Sequence, residues 1–201
     1  ANTGARTCVS VRNTSGDNVD VLIWGAQLEV GSAVTPYIQS PSVFTSRASS
    51  GTYVGGNGLI QTAVTNLLLR SEELDNAYWT KSGATVSADQ TASPIGTVTA
   101  DKLIESAANS AHWAGRLSLG LPSAIYTCSI YAKAAERQSL SIFIDTSVTR
   151  RTAYFNVSNG TLGAISTGIT STIQNIGNGW YRCSITLDAA EGMSNAVYTA
   201  A

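Results

Sequence analysis

Charged residues are scarce in this 201-residue chain, in which 12 Lys and Arg stand against 13 Asp and Glu for a formal net charge of −1. Such a sequence has no basic patch of the kind that binds nucleic-acid phosphates or an anionic membrane surface. It also has no apolar run near the roughly 20 residues that a membrane-spanning helix needs. We therefore expect neither nucleic-acid binding nor membrane insertion.

Residues for catalysis and metal binding are equally few, with three cysteines and a single histidine, His112. Three cysteines cannot all pair within one chain, and Cys128 and Cys183 lie on the apolar side of alternating segments, so we predict buried free thiols. One histidine cannot complete a zinc site, and no G-x-S-x-G elbow accompanies it. Glu72 and Glu73 are adjacent and diverge, unlike the paired carboxylates of a glycosidase. The sequence favours a protein without catalytic activity.

Short alternating segments make up most of the chain. Apolar and polar residues alternate over 125–133, 140–146, 152–157 and 179–188, and no helical period is sustained beyond one turn at 71–79. The Asn159-Gly160 pair predicts a hairpin with a type I′ turn, and residues 43–62 predict a second, smaller hairpin. This pattern predicts an all-β fold, an antiparallel β-sandwich of jelly-roll type with an N-terminal strand segment and a short hairpin linker.

The order of segments is unusual because a strand that resembles the end of a domain, Leu22–Gly31, follows only about twenty residues. Residues 1–23 also align with residues 177–199, with identities that include Arg6 with Arg182 and Val21 with Val197. We therefore divide the chain into closing strands of a preceding or swapped module (1–38), a linker with a β-hairpin (39–65) and a jelly-roll module (66–201). Since the sequence begins at Ala1 and its one methionine is Met193, we expect a processed product or part of a longer chain.

Five segments carry a resemblance to a known family. GNGWYRCSIT (177–186) and IWGAQLEVGSAVTPYI (23–38) resemble the carboxy-terminal half of a carbohydrate-binding-module-like jelly roll of tailed-phage tail and fibre proteins. NLLLRSEELDNAYWTKSGATV (66–86) and SIYAKAAERQSL (129–140) resemble its amino-terminal and middle parts. SRASSGTYVGGNGLIQTA (46–63) is similar to a segment that joins such modules. Together these segments cover most of the chain, in a shifted order.

The resemblance implies a virion protein that folds in the bacterial cytoplasm before assembly and acts outside the cell. Its implied partners are a host-surface polysaccharide or other glycan and further virion subunits, in a homo-oligomer such as a trimer. Related sugar-binding jelly rolls often carry one structural calcium ion, for which Glu72, Glu73 and Asp101 could supply oxygen ligands. Against this, acidic residues in a first helical turn, such as Glu72 and Glu73, are ordinary complements of the helix dipole.

Sugar recognition needs aromatic rings that stack on pyranose faces and polar groups that bond hydroxyls. Alternation predicts that three rings on neighbouring strands point away from the core, and polar or aromatic residues surround them. The predicted rings are Tyr131, Phe143 and Tyr154, and the predicted rim is Arg151, Gln138, His112 and Trp113. An alternative of equal weight is that this face is buried against a neighbouring subunit.

Trp24, Trp79 and Trp180 are predicted core residues, and Val19–Leu28 is predicted to be a non-edge strand. The function that the sequence favours is a non-catalytic phage virion protein that displays a jelly-roll module for adhesion to glycan. Two alternatives stay open: the sugar-binding module of a secreted polysaccharide-degrading enzyme, and a purely architectural virion subunit.

Overall fold

The computed structural model describes residues 20–39, 52–54, 60–62, 66–190 and 192–200. Over these residues the chain forms fourteen strands and no helix, which confirms the all-β prediction. The predicted helical turn at 71–79 is instead a series of tight turns. The strands are β1 (Asp20–Val30), β2 (Thr52–Val54), β3 (Ile60–Thr62), β4 (Thr80–Ser82), β5 (Ala84–Ala92), β6 (Val98–Glu105), β7 (Trp113–Arg116), β8 (Ala124–Ala134), β9 (Ser139–Thr146), β10 (Arg150–Asn156), β11 (Thr161–Ile165), β12 (Ile169–Gly177), β13 (Trp180–Ala189) and β14 (Met193–Ala200).

Twelve of these strands form two six-stranded antiparallel sheets. Sheet I has the order β12-β13-β8-β1-β6-β5, and sheet II has the order β11-β10-β9-β14-β7-β4. The predicted small hairpin is present as the separate pair β2–β3. The two sheets pack face to face, so the predicted antiparallel sandwich, jelly-roll-like in its arrangement, is confirmed. In the described ranges there is no helix that could span a membrane.

The main core fills the space between the sheets with the inward residues of each alternating strand. Ile130 and Ile185 of sheet I face Ile142 and Tyr198 of sheet II, all fully buried. Cys128 and Cys183 are buried free thiols within this core, as predicted. Burial raises the pKa of the Cys128 thiol to about 12, so this thiol stays protonated at neutral pH.

Strand β1 lies inside sheet I, between β6 and β8. Val21 pairs with Leu103 on one side and Ala134 on the other, and both neighbours run antiparallel to it. The prediction of a non-edge strand is therefore confirmed for residues 21–23, which pair on both sides; beyond them the N–H of Ala26 bonds the Ser71 carbonyl and the Leu28 carbonyl accepts the N–H of Leu67. Since β6 and β8 belong to the segment 66–201, β1 completes the sheet of its own chain. The predicted strand around residues 7–11 lies outside the described residues.

A β-bulge explains the irregular sequence of β1. Val21 and Ile23 face the core, but the register shifts after Trp24, so Ala26 and Leu28 face the core instead. Gly25 makes this shift with a φ of 63°, where a Cβ would come within 3.0 Å of the Tyr131 ring. The glycine of IWGAQLE is therefore required by both its conformation and its surroundings.

The residues that follow β1, 31–39, cross the outer face of sheet I and are called the strap. Thr35 of the strap donates its backbone N–H to the buried Glu29 carboxylate (2.9 Å), and its hydroxyl donates to the same carboxylate. Gln27 accepts the N–H of Ile38 (2.7 Å), and Arg182 donates to the Thr35 carbonyl. Buried polar side chains of sheet I thus satisfy the backbone of the strap.

An aromatic cluster lies beneath the strap. Trp24 contacts Tyr37 at 4.4 Å and Tyr131 at 5.3 Å between ring centroids, and Trp180 packs in the same cluster. The predictions that Trp24, Trp180 and Trp79 are buried are confirmed, although Trp79 alone of the three joins the main core between the sheets. The outer face of sheet I is therefore a second packed layer.

Two local predictions need correction. The hairpin between β10 and β11 exists, but only Gly160 of its Asn159-Gly160 pair has a positive φ (75°), so the turn is not type I′. The Asn156 side chain accepts the N–H groups of Ser158 and Asn159 and closes a longer loop. Residues 1–23 and 177–199 align in sequence, but they do not form a structural repeat in the part where both are described. Residues 20–23 lie in sheet I, whereas residues 196–199 lie in sheet II.

Candidate functional site

Three aromatic side chains share the outer face of sheet II. Strand pairing sets Tyr154 of β10 opposite Ser141 of β9, and Phe143 two residues further along β9 opposite Thr152. Paired residues project to the same side of a sheet, so Tyr154 and Phe143 share one face. Trp113 of β7 packs against Phe143 on that face. We call Trp113, Phe143, Tyr154, Asp145 and Arg150 the ring face.

An arginine and a carboxylate lie next to these rings. Arg150 donates through Nε to Asp145 Oδ1 (2.7 Å) and through Nη2 to Asp145 Oδ2 (3.0 Å), which is a two-point pair. The guanidinium also lies 4.1 Å from the centroid of the Phe143 ring. Asp145 therefore fixes the planar guanidinium of Arg150 beside the Phe143 ring.

The residues of the ring face differ in exposure. Tyr154 is 36% exposed, whereas Phe143 and Trp113 are only 7% and 8% exposed. The Arg150 side chain is about half exposed, and Asp145 is nearly buried beneath it. A ligand on this face would meet the Tyr154 ring and the Arg150 guanidinium first, and the Phe143 ring lies beneath the guanidinium.

Tyr131 does not belong to this face, and its prediction as a neighbour of Phe143 and Tyr154 is wrong. Its side chain points away from Ile130 as expected, but β8 lies in sheet I, so Tyr131 is on the opposite side of the molecule. The strap covers it, and it contacts Tyr37 and Trp24. Burial raises the pKa of its hydroxyl. Two layers of sheet separate it from Tyr154.

The predicted rim is also revised. Arg151 pairs with the core residue Ile144, so it lies on the inner side of sheet II and not on the side of Tyr154. Arg150 takes the place predicted for Arg151, since residues 150, 152 and 154 have the same parity along β10. Gln138 is exposed beside the start of β9, where its side chain accepts a long hydrogen bond from Ser158 (3.4 Å).

His112 is fully buried, so its prediction as a rim residue is wrong. Its Nε2 donates to the Ala108 carbonyl (2.8 Å), and its Nδ1 lies 3.1 Å from Glu105 Oε2. Arg137 donates to the other oxygen of Glu105 (3.3 Å). Burial, with the nearby Arg137, lowers the pKa of His112. Both imidazole nitrogens have partners within the fold, and neither is available to a ligand.

The three carboxylates suggested for calcium have separate partners. Glu72 accepts from Tyr37 (3.2 Å), and Glu73 pairs with Arg70 (2.7 Å). Asp101 accepts the N–H groups of Leu74 (2.7 Å) and Asp89 (3.1 Å). Within the described ranges no three His, Cys, Asp or Glu side chains converge on a point that could hold a metal ion. A calcium ion bound by these residues stays a prediction.

Asp101 is expected to make stability depend on pH. Burial raises its pKa from 3.8 to about 6, although backbone N–H groups oppose the shift. The folded state thus holds the proton more tightly than the unfolded chain, and the resulting stability is present below about pH 4 and lost as the pH rises through 6. Urea unfolding at pH 4 and pH 7 should show this loss as a contribution of up to about 3 kcal/mol.

The variant Asp101→Asn should reduce this difference between pH 4 and pH 7, because the amide does not titrate. The matched control is Asp188→Asn, at an exposed position of β13, which should leave the difference in place. An unchanged difference in Asp101→Asn would show that other groups cause it.

The fold and the ring face define the class of this protein as an antiparallel β-sandwich with an aromatic outer face on one sheet. No model of a known protein family matches the chain, and no curated protein matches it.

Proposed function

We propose that the chain is a non-catalytic adhesion module of a tailed-phage virion protein, which binds host-surface glycan through the ring face. The observation that carries the proposal is the exposed Tyr154 ring on the same sheet face as the Arg150–Asp145 pair, with the Phe143–Thr152 pair of residues between them. An exposed ring offers a flat apolar surface to a pyranose, and the half-exposed Arg150 guanidinium offers donors to its hydroxyl groups.

The support beneath the ring face favours binding over a purely structural role for these residues. Phe143 holds the Arg150 guanidinium from below, and Asp145 holds it from the side. An arginine fixed in this way loses little side-chain entropy when a ligand binds. The module resemblance of segments 66–86, 129–140 and 177–186 supports the same function.

The position of the ring face is also suitable for display. The opposite outer face is covered by the strap and its aromatic cluster, whereas Tyr154 and Arg150 face solvent in the chain described here. In a homo-oligomer, such as a trimer, several copies of the ring face would act together on a polymeric glycan. Repeated weak contacts would then give a stable attachment.

The variant Tyr154→Ala is expected to weaken glycan binding at least about tenfold, the equivalent of about 1.4 kcal/mol, because the stacking surface is removed. Binding would be measured on a glycan array of bacterial surface polysaccharides, followed by calorimetry on the best ligand. Tyr154→Phe, which keeps the ring, should retain most of the affinity.

The control is Ile95→Ala, since Ile95 is an even more exposed apolar residue (61%) in the turn between β5 and β6 of sheet I. It should bind like the parent chain. The proposal fails if the parent chain binds no polysaccharide, or if Tyr154→Ala binds as well as Ile95→Ala. Burial of Tyr154 between subunits of the assembled protein would favour the architectural alternative instead.

A further inference from the structure

A cavity of about 460 Å³ lies away from the ring face, where the segment before β4 meets the end of β7. Cavities of roughly 300 to 1,000 Å³ are typical of small-molecule sites. Its lining residues are mostly apolar, with one arginine and one tyrosine: Asn66, Leu67, Leu69, Tyr78, Arg116, Ser118 and Leu119. We call it the Arg116 cavity.

The Arg116 cavity opens between the two sheets. Arg116 pairs with Ala196 of β14, whose side chain is in the main core, so Arg116 projects to the inner side of sheet II. Leu67, Tyr78 and Leu119 pack against the edge of the same core. The cavity and the ring face are therefore on opposite sides of sheet II.

Among the residues that the structure describes, no carboxylate pairs with Arg116. Its guanidinium lies 4.6 Å from the Tyr78 ring centroid, and one long hydrogen bond (3.4 Å) reaches the Tyr78 carbonyl. In the described part of the chain Arg116 forms no ion pair, and no lining residue of the cavity is acidic. An arginine has five N–H donors, so most of those of Arg116 are free for a ligand.

Two other polar side chains of the cavity, those of Asn66 and Tyr78, already have partners within the fold. The Asn66 side chain accepts the N–H of Leu68 and donates to the carbonyls of Ala26 and Ile38. The Tyr78 hydroxyl accepts the N–H of Leu69 (3.2 Å). Arg116 is thus the group of this cavity that can select a ligand by charge, next to three leucine side chains that can take an apolar surface.

The rim of the cavity has an unusual backbone. Ser118 has a φ of 59° and Arg70, directly after Leu69, has a φ of 54°, two of the four non-glycine residues with positive φ in the described ranges. The buried Asn195 side chain accepts the N–H of Ser118 and fixes this conformation. Such strained positions often occur at ligand sites.

From this geometry we infer that the Arg116 cavity binds a carboxylate on a ring-sized unit, with the carboxylate on Arg116 and one apolar face against Leu67, Leu69 and Leu119. The carboxylate would form charge-assisted hydrogen bonds with the free guanidinium donors. A uronate unit of an acidic polysaccharide and a free small acid both have this chemistry. The inference does not depend on glycan binding by the ring face.

The test uses galacturonate, neutral galactose and cyclohexanecarboxylate as probes, each titrated into the ¹⁵N-labelled chain and followed by NMR. Galacturonate should shift the amides around Leu69, Ser118 and Leu119 and bind at least tenfold more tightly than galactose. Added salt should weaken this binding. If cyclohexanecarboxylate binds equally, the site takes small carboxylates in general, and if it does not bind, the site takes a sugar acid.

Arg116→Gln should weaken galacturonate binding at least tenfold, and Arg116→Lys, which keeps the charge, should weaken it less. Thermal unfolding of both variants checks that they fold. Ile95→Ala, at an exposed residue outside the cavity lining and the ring face, should leave galacturonate binding unchanged. Equal binding of galactose and galacturonate, full affinity in a folded Arg116→Gln variant, or no shift around Leu69 with either acid would overturn the inference.

Discussion

Replacing Ile23 with Asp is expected to abolish the folded state of the chain. Ile23 has no exposed surface, faces the main core, and lies in β1 between Asp101 of β6 and Ala132 of β8. A carboxylate there would have to be buried without a partner or be protonated at a large cost. The unfolding free energy of a domain is only about 5 to 15 kcal/mol, so the cost of this one change should remove most or all of it.

The matched control for Ile23→Asp is Val30→Asp, in the same strand. Val30 is 55% exposed, so the same new charge would remain in water and should change the unfolding free energy by no more than about 0.5 kcal/mol. Circular dichroism and urea unfolding would compare the two variants. A cooperative unfolding transition in Ile23→Asp like that of Val30→Asp would show that β1 is not an interior strand.

Replacing Arg182 with Leu is expected to cost about 3 kcal/mol or more of stability. The buried guanidinium donates to the Thr35 carbonyl and to Ser129 Oγ (3.2 Å), and it lies 5.4 Å from the Tyr131 ring centroid. The positive charge of Arg182 also attracts the negative charge of the buried Glu29 carboxylate. Leucine would leave the strap carbonyl without its donor and the Glu29 charge uncompensated.

Two measurements check the effect of Arg182→Leu. Urea unfolding should show the loss of stability, and limited proteolysis should show faster cleavage within the strap, residues 31–39. Arg151→Leu is the control, because Arg151 is half-buried on β10 and its side chain forms no hydrogen bond or ion pair with the described part of the chain. Equal stability and equal strap cleavage in the two variants would mean that Arg182 does not hold the strap.

Alternation predicted the strands whose inner residues are continuous and apolar, such as β8, β9, β10 and β13. It missed β12, an edge strand in which Ile169 and Ile173 are only partly buried, and β14, where small residues weaken the pattern. An edge strand has a neighbour on one side only and is less buried, so apolar and polar residues alternate less clearly in its sequence.

The ring face was predictable in part. Parity along β9 and β10 is local, so Phe143 and Tyr154 were correctly placed on one face, and the same parity would have selected Arg150 in place of Arg151. Which sheet a strand joins is not local. Tyr131 was misplaced because β8 pairs with β1 and β13, and because the strap that covers it comes from residues about 95 positions earlier in the chain.

The most direct test of this account is whether β1 completes the sheet of its own chain. Leu22 of β1 lies opposite Lys133 of β8, close enough for a cross-strand disulfide once both are cysteine. The variant Leu22→Cys/Lys133→Cys also carries Cys8→Ser, so that the buried Cys128 and Cys183 are the only native cysteines left. After oxidation it should run as a cross-linked monomer on a non-reducing gel. A mixture of the two single-cysteine chains, refolded together, should give no covalent dimer. Dimers in that mixture, with no cross-link inside the double variant, would show that β1 is donated to a neighbouring copy and would contradict the account.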